Sequence, residues 1–167
     1  MRGLESILTL RTEMANDVSA LCRIKERLKV SPQGLRALSP SDPVVAATAF
    51  ELHNYYCVFE NLMRRIATTF ENALDPSEWH KQLIARMSLD IDGIRPALLD
   101  PPLRDHLDEL RKFRHFFRNV YDRQLNPGKI ADMLEILTAT DGILLARIRR
   151  FLDWLDDLGK RLAESPS

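Results

Sequence analysis

Four times in this chain an acidic or amide residue stands directly before a proline: Asp42-Pro43, Asp75-Pro76, Asp100-Pro101 and Asn126-Pro127. An Asp or Asn side chain accepts from the free N–H groups of a helix's first turn. Proline suits the first helical position, where its missing N–H would have no partner. Each pair therefore predicts a helix start. Between the pairs, apolar residues recur at steps of three and four rather than two, which is the period of a helix with one buried face. Leu4, Ile7, Leu8, Met14, Val18, Leu21 and Ile24 do so over residues 3–30, ending before Ser31-Pro32-Gln33-Gly34. Leu52, Tyr56, Phe59, Met63, Ile66 and Phe70 do so over 43–73, and Trp79, Leu83, Ile84 and Met87 over 77–89. DIDGIRPALLD then reads as a connector. A fourth helix covers 103–122, and a fifth runs from Pro127 to about Ala163, with a bend predicted at Thr140-Asp141-Gly142. The pattern predicts an all-α, up-and-down bundle of about five helices, one domain over 1–167, frayed at 1–2 and 164–167.

Charge and motifs narrow what such a bundle does. Lys plus Arg number 24 and Asp plus Glu 24, so no overall field draws the chain to a polyanion, and any such site must be a local patch. Cys22 and Cys57 belong to no CxxC or Cys/His cluster, and there is no HExxH, paired Glu-x-x-His or Asp-rich loop. No metal or other cofactor is therefore expected, and the cysteines are expected to be reduced. Phosphate-binding glycine loops are absent. No apolar run approaches the ~18 residues of a membrane span, and the start MRGLESILTLRTEM lacks the core of a signal peptide, so a cytoplasmic protein is expected.

The patch is on the fourth helix, LRDHLDELRKFRHFFRNVYD. Wound at 100° per residue, it carries Leu103, Leu107, Leu110, Phe113, Phe116, Phe117 and Val120 on one side, with Tyr121 at the edge. Arg104, Asp108, Arg111, His115, Arg118 and Asp122 fall on the other, beside Asn119. From Arg111 to Arg123 five cations, Arg111, Lys112, Arg114, Arg118 and Arg123, meet the single acid Asp122. A plain reading takes Arg104–Asp108, Asp108–Arg111 and Arg118–Asp122 as solvated ion pairs of small energetic value. That leaves over His115, with Arg111 one turn before it and Arg118 one turn after. Two flanking cations would keep an imidazole neutral, hold a phosphate and stabilise charge on a pentacovalent intermediate. Metal-free RNA cleavage needs that combination, since a base takes the 2′-OH proton and the hydroxyl attacks phosphorus. His53 and His106 read as structural residues, and His80 as a contact at the bundle end.

ELRKFRHFFRNVY, preceded by YYCVFENLMRRIATTF, WHKQLIARM and IDGIRPALL, resembles the HepT-like branch of the HEPN superfamily over roughly residues 45–155. That resemblance implies a helical bundle that forms a homodimer, with an Arg/His ribonuclease site at the dimer cleft. It also implies a toxin–antitoxin module whose antitoxin, a minimal nucleotidyltransferase, adenylylates a tyrosine near the motif. By this likeness His115 would be the general acid/base and Arg118 the phosphate-binding arginine, assisted by Arg111. Arg114, Lys112 and Asn119 would contact the RNA, and Tyr121 would be the modified residue. The superfamily motif runs arginine, four to six residues, histidine. No arginine here has a histidine at that distance downstream. Either the motif is rearranged on one helix face, with His115 acting from upstream, or the chain is a non-catalytic module that binds nucleotide, RNA or a nucleotidyltransferase.

Overall fold

A computed structural model describes residues 3–71, 79–119 and 124–164, without the side chains at 79–81. Asp75-Pro76, Val120, Tyr121, Asp122 and Arg123, and the side chain of His80, lie outside the described residues. Those residues form six helices and no strand: α1 Leu4–Arg27, α2 Pro32–Arg36, α3 Pro43–Phe70, α4 Trp79–Met87, α5 Pro101–Arg118 and α6 Pro127–Glu164. The extra element is α2. Ser31-Pro32-Gln33-Gly34, read from sequence as a break, is itself a capped turn of helix, with Ser31 Oγ accepting from Gly34 N at 3.0 Å.

The described Asp/Asn-Pro pairs behave as their chemistry requires. Asp42 accepts from Val44 N at 2.9 Å, Asp100 from Leu103 N at 3.1 Å and Asn126 from Lys129 N at 3.2 Å, each cap contributing about 1 kcal/mol. α1 lies between α3 and α6, and α5 closes the other side against the same two helices. α4 joins α3 to α5, and α2 rests on α6. The core is continuous from Ile7, Leu10 and Met14 of α1 through Tyr55, Phe59 and Met63 of α3 to Leu144, Ile148 and Phe151 of α6. No described helix is long and apolar enough to cross a membrane.

Two polar anchors are built into this core. At Thr140-Asp141-Gly142, α6 continues as one helix of 38 residues rather than bending. Asp141 is 1% exposed, and its carboxylate accepts from Tyr55 Oη of α3 at 2.8 Å and pairs with Lys25 of α1. The polar triplet is thus a cross-helix contact, and the carboxylate's need for partners is met without opening α6. The second anchor is Arg95 of the connector, whose side chain is fully buried. Its Nε donates to Glu71 Oε1 at 3.0 Å, and its other nitrogens donate to the carbonyls of Leu89, Arg86 and Pro96. The guanidinium ties the connector to the ends of α3 and α4, while Gly93 makes the turn at φ 71°.

Candidate functional site

The packing of α5 decides which of its polar residues are available. Leu103, Leu107, Leu110 and Phe113 are buried against the bundle. Phe116, assigned to that face by its angle, is instead 42% exposed, two residues before α5 ends at Arg118. It stands at a cleft of about 490 Å³ between α5 and the start of α6, with Lys112 and Lys129 also in the lining. His106, also expected on the apolar side, is exposed, while Leu103 and Leu107 on either side of it in sequence are buried.

The cations divide into three groups. Arg111 Nε bonds Asp108 Oδ1 at 2.7 Å, and Lys112 Nζ reaches Glu109 at 2.7 Å and Asp108 at 3.3 Å. Burial raises the Asp108 carboxyl, but Arg111 and Lys112 together hold it below its ordinary range. Arg104 turns to Asp105 at 3.5 Å rather than to Asp108, which already serves two cations. Arg114 points inward to α3: its Nη2 pairs with Glu60 at 2.9 Å, and its side chain is only 15% exposed. Its Nε lies 3.4 Å from Cys57 Sγ. Arg118 is exposed and forms no ion pair among the described residues.

His115 and Asn119 close the helix. Both are exposed, and Asn119 Nδ2 donates to the His115 carbonyl at 2.8 Å, so the amide acts as part of the helix end. Among the described residues no hydrogen bond links the His115 imidazole to Arg111 or Arg118. Arg111 answers to Asp108 instead, and the charges of Arg114 and Arg118 bear on another histidine, on α3. Tyr121 lies outside the described residues.

That histidine is His53, read from sequence as structural. Its ring packs at 5.2 Å from Phe117, and its Nε2 is 3.5 Å from Cys57 Sγ. Burial first, then the nearby Arg114 and Arg118, hold its imidazole below the usual histidine range, while Glu60 opposes them. Among the described residues its buried Nδ1 has no hydrogen-bond partner, and neither has the buried Tyr56 Oη. Burial, and then Glu60, raises the Tyr56 phenol, while Arg111 and Arg114 oppose them. The result is a linked row across the α3–α5 seam, His53–Cys57–Arg114–Glu60. Sequence reasoning missed it because the i, i+4, i+7 spacing of His53, Cys57 and Glu60 was not set against α5, although that spacing puts all three on one stripe of α3.

The exposed Arg118 can take an anion beside the exposed His115, while the half-buried His53 of α3 has its pKa lowered by burial and by Arg114 and Arg118. Comparison with known proteins finds no match among curated proteins or solved structures. The family model described as HepT-like protein matches residues 47–155, from the first turns of α3 to near the end of α6, well over half of the chain. With that match covering both helices of the seam, the chain belongs to the HepT-like family of HEPN proteins.

Proposed function

We propose that this protein is the toxin of a prokaryotic toxin–antitoxin module, a metal-independent endoribonuclease that acts in the cytoplasm as a homodimer and is neutralised by a minimal nucleotidyltransferase. The observation that carries the reading is Arg118. It is a guanidinium at the exposed end of α5 with no acid on it among the described residues, next to exposed His115. Arginine holds phosphate oxygens through a rigid fork of donors, and an adjacent imidazole can move the protons of phosphodiester cleavage. Phe116, exposed at the neighbouring cleft, offers an aromatic face on which a base of a single-stranded chain can stack. Val44 and Phe50 of α3, 43% and 53% exposed, and Ile143 of α6, 54% exposed, are surface that a second copy would cover. Tyr121, three positions beyond Arg118, is the proposed adenylylation site.

The test is cleavage of a mixed RNA pool in EDTA by the protein made without a partner, beside His115→Ala. Wild-type cleavage that the variant lacks supports the reading, and no cleavage by the wild type refutes it. One observation favours a second reading, a non-catalytic module that binds RNA or its nucleotidyltransferase. Arg111 and Arg114 are already neutralised by Asp108 and Glu60, and the residue four places past Arg114's successor is Asn119, where the superfamily motif would put a histidine. On that reading His115→Ala leaves partner binding intact, while Arg118→Glu abolishes it.

A further inference from the structure

The connector between α4 and α5 is held more firmly than a passive link needs. Ile91 N donates to the Arg95 carbonyl at 2.9 Å and Arg95 N to the Ile91 carbonyl at 3.0 Å, and Gly93 turns the chain between them at φ 71°. Beneath the turn, the buried Arg95 guanidinium is bonded to Glu71 and to the carbonyls of Leu89, Pro96 and Arg86. This anchoring fixes the outer side of the turn. Asp90, Asp92 and Ile94 are exposed there, Ile94 by 47%, and Leu89 just before them by 55%. Neither carboxylate has an ion pair among the described residues. Facing the turn, α6 brings Trp154 and Leu158, one helical turn apart and both half-buried. Phe151 at 5.2 Å and Phe70 at 5.6 Å back the indole. Turn and helix enclose an open cleft of about 460 Å³, with Ile94, Trp154 and Leu158 as its apolar wall and Asp90 and Asp92 also in the lining. Of the two arginines that border it, Arg95 is committed to Glu71 and Arg161 has interactions of its own, so the uncommitted charge of the cleft is negative.

We propose that this cleft docks a segment of a partner protein that carries an arginine or lysine flanked by apolar residues. The alkyl stem of such a side chain lies along Ile94 and Leu158, its charged head meets Asp90 and Asp92, and the face of Trp154 attracts the same charge. An acidic or neutral segment would cover the two carboxylates without a counter-charge, at a cost in desolvation. Leu89 selects a protein segment over a free organic cation, because it is exposed next to the cleft but outside its lining and is covered only by a chain that continues past the inserted side chain. The Arg95 anchor sets the turn in place beforehand, so binding orders little of the connector. The connector leads into the first turn of α5, while His115 and Arg118 stand at its other end, roughly 20–25 Å away along the helix. The proposal therefore stands independently of any cleavage of RNA.

The experiment is an NMR titration of the full chain with two blocked tripeptides, acetyl-Leu-Arg-Leu-amide and acetyl-Leu-Glu-Leu-amide, and with butylguanidinium. The indole N–H signal of Trp154, identified by its loss in Trp154→Phe, and the amide signals of Gly93 and Ile94 are read. With the arginine peptide these signals are expected to move saturably, and with the glutamate peptide to stay in place. Asp90→Asn combined with Asp92→Asn changes two exposed positions and should weaken the arginine peptide about fivefold, the worth of two exposed ion pairs. Three results overturn the proposal: no movement with the arginine peptide, equal movement with the glutamate peptide, or undiminished binding by the double variant. Butylguanidinium separates the sources of the cation. Binding of it as tight as that of the arginine peptide means that the cleft takes a free organic cation and overturns the protein partner, while markedly weaker binding supports a chain that also covers Leu89. The wild-type arms need no variant to fold.

Discussion

Glu60→Gln tests the seam most directly. The change is nearly isosteric and removes the carboxylate that faces Arg114 at 2.9 Å, with the two side chains 5% and 15% exposed. Removing one partner of a buried pair costs about 3–5 kcal/mol, because the remaining charge stays buried without its counter-ion. The amide oxygen still accepts one hydrogen bond, worth about 1 kcal/mol, and Arg114 retains some water, so a loss of about 2–3 kcal/mol is expected. For 167 residues the unfolding entropy is about 0.35 kcal/mol/K near the midpoint, so the melting temperature should fall by about 6–9 °C. Calorimetry or circular dichroism on Glu60→Gln, Arg114→Gln and the double variant checks this. The double variant should be destabilised by less than the sum of the singles, since the second change removes the charge that the first orphaned. A melting point within about 2 °C of the wild type for Glu60→Gln, or strict additivity, would refute the claim that this pair holds α5 against α3.

The pH dependence of stability should carry the mark of His53. Its pKa is depressed in the folded protein by burial and by Arg114 and Arg118, so below the unfolded value of about 6.5 the unfolded chain binds more protons. Stability should therefore drop as pH falls below about 6.5, more steeply in the wild type than in His53→Gln, as thermal melts in a pH series would read. Asp100→Ala removes both the α5 cap to Leu103 N and the ion pair with Arg147 at 2.5 Å, and should cost about 1–2 kcal/mol in a urea titration. Gly93→Ala meets no neighbouring atom but must adopt φ 71°, and about 1–2 kcal/mol of local strain is expected in the same assay. A loss below about 0.5 kcal/mol would mean that the connector rearranges at little cost.

The helices were legible because their starts are local chemistry. Asp42, Asp100 and Asn126 each cap the turn that begins with the next proline, and no distant residue is needed to make that happen. α2 escaped because Ser31-Pro32 gives the same cap to a helix of only five residues, too short to show a period. The polar face of α5 was also readable, yet the partners of its arginines were not. Whether Arg114 answers to His115, its neighbour in sequence, or to Glu60, 54 positions earlier, is decided by the rotation of α3 against α5. A helical wheel shows which residues share a face. It does not show which face of which neighbour they meet, so the effect of Arg114 and Arg118 on His53 could not be read from it.

The carboxylate of Asp141 has a consequence for how the bundle opens. It is the one acceptor that a buried phenol from α3 and an ammonium from α1 share on α6. Apolar stripes tolerate a slide of one turn, about 5.4 Å, because one leucine can replace another; this contact does not, since no second buried acid among the described residues stands a turn away along α6. The three longest helices are therefore keyed to one register where the last turn of α1 meets the middle of α3 and Asp141 of α6. Amide exchange around Lys25, Tyr55 and Asp141 should then converge on one opening free energy, so that these segments of α1, α3 and α6 unlatch as a unit while α2 and α5 open on their own.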